Sequence, residues 1–121
     1  MITRLQTWLD NYKQAWENRD PKIIAALFTD EAAYYITPFN DPLRGKTAIV
    51  EYWHGVSRTQ EDINFNYEIL ALNETSGICH WQASFTRKHK RITLDGIMVI
   101  SLNPDGMCYE FREWWHRREI N

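Results

Sequence analysis

From residue 63 onward the sequence changes from apolar to polar at almost every step. Ile63, Phe65 and Tyr67 alternate with Asn64, Asn66 and Glu68, and Cys79, Trp81, Ala83 and Phe85 alternate with His80, Gln82, Ser84 and Thr86. A period of two is what a strand with one buried face requires. Turn residues separate long segments at 63–73, 78–87 and 92–103, and Asn103-Pro104-Asp105-Gly106 is strong hairpin chemistry before a last strand at 107–117. The second half of the chain is therefore expected to be an antiparallel meander. Its one aromatic face has to be covered by something else.

The first half supplies the cover. Leu5, Trp8, Leu9, Tyr12, Ala15 and Trp16 recur at three- and four-residue spacing, which predicts a helix over 3–18. Asp20 is a plausible N-cap with Pro21 at the tolerated first position, and predicts a short helix over 21–28 with Ile23, Ile24, Leu27 and Phe28 inward. Residues 32–37 read as a strand, 38–45 as a loop with two prolines and a glycine, and 46–57 as a third helix carrying Ile49, Val50, Tyr52, Trp53 and Val56. The expected class is α+β. Three N-terminal helices pack on a strongly curved mixed or antiparallel sheet, in a single domain over 1–121.

Composition narrows the function. A net charge of −2 gives no nucleic-acid footprint, and no apolar run approaches membrane-spanning length. The basic run Arg87-Lys88-His89-Lys90-Arg91 is read as the cap of a hairpin rather than a phosphate site. Residues 1–6 hold no apolar core of a signal peptide. Cys79 shares parity with Trp81, and Cys108 shares it with Arg112. The two thiols are expected on opposite faces and unbridged, as in a reducing cytoplasm. His54, His80, His89 and His116 show no metal-ligand spacing, so neither metal nor cofactor is expected. No nucleophile elbow, phosphate loop or dinucleotide fingerprint is present.

One residue breaks the aromatic face. If the last segment is a strand, Tyr109, Phe111, Glu113 and Trp115 share a side, which sets a carboxylate in an aromatic row. Burying it is costly unless it is paired, hydrogen-bonded or protonated. Two readings stand open: an ion pair with an arginine near the strand end, or the acid of a site. The opposite side carries His80, Gln82, Arg112, Trp114 and His116. A tryptophan flanked by His and Arg is interface composition, and a homodimer through that face is expected.

The order of elements also resembles a known superfamily. It is carried by Trp16-Glu17-Asn18-Arg19-Asp20, by Ala26-Leu27-Phe28-Thr29-Asp30-Glu31-Ala32, by a strand ending at Pro38, by Gly45 before a helix with Tyr52-Trp53, and by Glu110-Phe111-Arg112-Glu113-Trp114-Trp115-His116. The chain resembles the SnoaL-like branch of the NTF2-like superfamily over nearly its whole length. The resemblance implies a cone: a bent sheet wrapped round helices, with a pocket at the wide end. It says little of function, because the fold hosts isomerases, cyclases, hydrolases, transport factors and non-catalytic partners. At the three places where ketosteroid isomerases hold an oxyanion tyrosine, a general-base aspartate and a protonated aspartate, this chain has Tyr12, Thr37 and Met98. A threonine does not shuttle protons at neutral pH as a carboxylate does, so that activity is not implied. The Asp–Arg–Asp constellation of limonene-epoxide hydrolases cannot be assembled, although Arg44 lies near the mouth. Asp95 falls on the parity that points away unless Gly96 makes a bulge.

Glu113 and Tyr12 are thus the candidate catalytic pair. Trp16, Tyr35, Thr37, Trp53, Phe65, Trp81, Phe85, Met98, Phe111 and Trp115 are the candidate ligand-binding walls. The expected function is binding of a small apolar or carbonyl-bearing molecule, with cofactor-free acid–base catalysis of the isomerase, cyclase or hydrolase type. The alternative is a dimeric, non-catalytic module whose cone is packed shut.

Overall fold

The computed structural model describes residues 1–120. Three helices, α1 (Ile2–Glu17), α2 (Pro21–Leu27) and α3 (Lys46–Thr59), lie against one six-stranded sheet. Its strands are β1 (Phe28–Tyr35), β2 (Leu43–Arg44), β3 (Glu61–Leu72), β4 (Ser76–Arg87), β5 (Lys90–Leu102) and β6 (Cys108–Ile120). Their order across the sheet is β2-β1-β6-β5-β4-β3. The pairing of β1 with β6 is parallel and every other neighbour is antiparallel. This is the α+β cone with a mixed sheet.

The helical stripe of α1 is buried as the spacing requires, from Leu5 through Trp16. Trp8 fixes the helix to its neighbour, with its indole N–H donating to the Leu27 carbonyl at 2.9 Å in the interior. Asp20 caps α2 by accepting from the Lys22 amide at 3.0 Å. At the free edge of the sheet, two side chains of α1 complete the hydrogen bonding of β3. Glu17 accepts from the Phe65 amide at 2.8 Å, and Lys13 donates to the Phe65 carbonyl. The basic run 87–91 turns the β4–β5 hairpin, with Lys88 and His89 both in the left-handed region as a tight primed turn needs.

Four local expectations are corrected. The second helix stops at Leu27, and Phe28 opens a strand four residues before the expected start. The pairing of β1 with β6 shifts register between Phe28 and Ala33, which lets Asp30 and Glu31 stay in solvent while Phe28 and Ala32 are buried. Second, the parity of β1 puts Tyr34 inside, and Tyr35 lies under the Arg112 guanidinium, 3.9 Å from its ring centre, so Tyr35 does not face the cone. Third, Leu43–Arg44, inside the expected loop, pairs with β1. Fourth, a bulge between Ser101 and Leu102 changes which residues of early β6 turn inward. Cys108 joins Cys79 in the core instead of lying opposite it, and Tyr109 is exposed. Both thiols are free.

Candidate functional site

The wide end of the cone is largely filled by rings, but a cavity of about 160 Å³ remains. Tyr12 and Trp16 reach it from α1, Tyr34 from β1, and Tyr52, Trp53 and Val56 from α3. Trp81 and Phe85 come from β4, and Glu113 and Trp115 from β6. Gln60, which follows α3, closes one side and accepts from the Trp16 indole at 2.7 Å. Opposite Trp81 and Trp115 in the ladder stands Gly96, where a side-chain carbon would fall 2.2 Å from the Trp114 carbonyl. Only glycine lets these two indole-bearing strands close up there.

Glu113 is 8% exposed and, among the described residues, has no hydrogen-bond or ion-pair partner. The arginine pairing considered above does not occur. Arg112 on the other face takes Glu110 instead, at 2.7 Å. Burial alone pushes the Glu113 carboxyl from 4.5 up to about 8. Three tyrosine hydroxyls sense it. Tyr12, Tyr34 and Tyr52 are each raised, first by burial and next by the neighbouring Glu113 charge. The hydroxyls of Tyr12 and Tyr34 also interact with each other. In the ladder Glu113 stands directly across from Met98. Among the described residues two further groups are unsatisfied: the buried indole N–H of Trp53 and that of Trp81, both on cavity-lining residues, have no acceptor.

Beside the cavity a second, more open cleft of about 500 Å³ runs between residues 36–39, residues 95–97 of β5 and residues 113–116 in the middle of β6. It exists because β1 leaves the sheet at the pairing of Tyr35 with Arg112, while β6 continues. Thr37 lines this cleft and not the cavity. Glu113 and Trp115 border both spaces.

Of the expected walls, Trp16, Trp53, Trp81, Phe85 and Trp115 line the cavity, with Trp115 38% exposed at its margin. Phe65, Met98 and Phe111 do not. They lie one layer deeper and are fully buried, with Phe111 stacked on Tyr34 at 4.5 Å. Tyr34, Tyr52, Arg87 and Arg117 escaped the sequence reading. Parity would have found the arginines, which continue the inward rows of Phe85 and Trp115. Tyr52 was visible beside Trp53, one turn before Val56. Asp95 lies on the outer face, where His80 at 3.0 Å and Gln82 at 2.8 Å bind it. Among the described residues no group of three His, Cys, Asp or Glu is placed to hold a metal ion, and no helix is long and apolar enough to cross a membrane.

The sequence profile of the SnoaL-like domain matches residues 9–111. This chain belongs to the SnoaL-like domain family. Solved structures similar to this SnoaL-like domain include SalBIII, described as an epoxide hydrolase/cyclase-like enzyme in pyran ring formation in the polyether salinomycin. It is 19% identical over 94% of this chain and 91% of its own, with a TM-score of 0.82. An LEH-like epoxide hydrolase from Mycobacterium tuberculosis is 15% identical over 94% and 84%, with a TM-score of 0.75. A computationally designed 17-OHP binder is 12% identical over 96% of each chain, with a TM-score of 0.82. At such identities the likeness is one of fold. No curated protein matches the sequence.

Proposed function

We propose that this SnoaL-like domain binds a small, oxygen-bearing ring compound in its aromatic cavity and transfers a proton to it from Glu113. The observation that carries the reading is Glu113 itself, a buried carboxyl on a cavity wall with no partner among the described residues. Such a group keeps its proton at neutral pH and can give it to a carbonyl, ether or epoxide oxygen as charge develops there. Tyr12 and the unsatisfied indole N–H groups are the donors available to orient that oxygen. Proton delivery of this kind serves isomerisation, cyclisation or hydrolysis without a cofactor. Two of the similar structures being described as epoxide hydrolase or cyclase-like supports an oxygen-bearing ring. The cavity volume limits the body of the ligand to about one six-membered ring, since an apolar cavity of about 150 Å³ holds benzene.

The test is to incubate the protein with small cyclic enones and epoxides and to follow products by chromatography and binding by tryptophan fluorescence. Glu113→Gln should abolish turnover while the same compounds still quench the indoles. Full activity in that variant would remove Glu113 from the mechanism.

A second reading keeps the fold and drops the chemistry. The outer face exposes Trp114 at 44%, and Phe39 beside the cleft is 95% exposed. An uncovered apolar surface of this kind favours a dimeric binding module joined through His80, Gln82, Arg112, Trp114 and His116. A cytoplasmic setting accords with the two free thiols.

A further inference from the structure

The basic run that turns the β4–β5 hairpin is divided by the sheet. Arg91 is pinned on the outer face, donating to the Asp62 carbonyl at 2.7 Å and to the Ser84 hydroxyl at 2.9 Å. Arg87 goes the other way and lines the cavity, together with Arg117. Strands β4 and β6 both run antiparallel to β5, so they head toward the same end of the cone. Along β6 the inward row passes Glu113, Trp115 and Arg117, and along β4 it passes Trp81, Phe85 and Arg87. Each row therefore begins deep and uncharged and ends in a guanidinium at the mouth. Four residues at about 3.3 Å each separate Glu113 from Arg117 along the backbone, about 13 Å.

The mouth carries excess positive charge. Among the described residues, Glu119 is engaged with Arg117 at 2.8 Å and Lys90 at 3.5 Å, while Glu61, which shares a surface pocket with Arg87, is accompanied there by Arg58 and Lys88. Among the described residues Arg87 has no ion-pair partner. Among the described residues, the buried indole N–H groups of Trp53 and Trp81, which line the same cavity, are donors without acceptors. A solvated charge cluster at a hairpin does not account for unsatisfied donors in the same cavity, whereas a ligand with an anionic end and an acceptor-bearing body satisfies both. Cations around an opening between low-dielectric walls concentrate anions, and guanidinium groups bind carboxylate or phosphate oxygens through charge-assisted hydrogen bonds.

We infer that the ligand of this cavity is a small organic anion, whose ring-sized body carries a hydrogen-bond acceptor inside and whose carboxylate or phosphate is held at the mouth by Arg87 and Arg117. The inference rests on the cavity being a ligand site. The ionised group stays at the opening, where water and the arginines compensate it, and the interior receives only the uncharged part.

Calorimetry with three probes on the full chain tests this: 3-(4-hydroxyphenyl)propionate, its amide, and 2-(4-hydroxyphenyl)ethyl phosphate at low ionic strength. The acid, the phosphate or both should bind at least about tenfold tighter than the amide. That advantage should shrink with added salt. In the double variant Arg87→Gln, Arg117→Gln, neither anion should bind better than the amide. Whichever anion binds more tightly in the wild type identifies the group the mouth was built for. Equal binding of acid, phosphate and amide overturns the inference while leaving the cavity reading in place. So does an anion preference that survives in the double variant. If none of the three binds, the cavity reading falls as well.

Discussion

At neutral pH the Glu113 carboxyl keeps its proton because ionising it would strand a charge among rings. Its pKa is about 8 in the folded chain against 4.5 for an ordinary glutamate, so between these values the folded state holds more protons than the unfolded one. Stability must then fall as pH rises through this window and level off above it. The whole loss is on the order of a few kcal/mol. Urea unfolding of the wild type and of Glu113→Gln below pH 4.5, between, and above pH 8 reads this directly. The difference between the two proteins should move in favour of the variant as pH rises. A difference that is flat with pH would show that Glu113 titrates normally. This residue was legible because a carboxylate in a row of aromatics violates the parity of its own strand. Tyr35 was misplaced, and Tyr34 missed, for the opposite reason. The register of β1 shifts between Phe28 and Ala33, and nothing in the local sequence marks where such a shift falls.

Elements were legible where periodicity is long. The three helices and four long strands lie where the spacing of apolar residues puts them, because each buries one face. Boundaries that depend on partners distant in sequence were not. Phe28 joins a strand because β6 is there to receive it, and Leu43–Arg44 forms a strand only against β1. The edge of β3 is a similar case. Lys13 and Glu17, one turn apart on α1, read as an ordinary surface ion pair at 2.7 Å, yet they complete the backbone bonding of Phe65. They blunt the edge strand on the side that has no neighbour. Replacing Glu17 by Ala leaves the Phe65 amide unpaired and should cost about 1–2 kcal/mol in urea unfolding. It should also speed hydrogen exchange at that amide selectively. Unchanged exchange at Phe65 would mean that the clamp does not hold the edge.

For the molecule as a whole, the cone separates two chemistries by a single sheet. Rings and a protonated acid lie inside, and ionic pairs such as His80 with Asp95 lie outside. The His80 imidazole is raised, chiefly by hydrogen bonds to Asp95 and Glu68, and the Asp95 carboxyl is lowered, chiefly by hydrogen bonds from Gln82 and His80. If two copies join through the outer face, sedimentation of the wild type gives a dimer and Trp114→Glu gives a monomer, with the cavity unaffected. A wild type that sediments as a monomer at all concentrations would exclude the interface. The topology has a consequence for assembly in time. Strand β1 is hydrogen-bonded to β6, about eighty positions later, with the parallel pairing that a hairpin cannot make. While the chain is being synthesised, α1 and α2 are complete long before the surface that will cover them exists. Their apolar stripes pack first on each other, on Trp53 of α3 and on Phe65 of β3, and stay open on the side of Phe111 until the last strand arrives. Slow, late closure is expected of such long-range pairing, and the interval before it is when the nascent chain is most exposed to sticking to its neighbours.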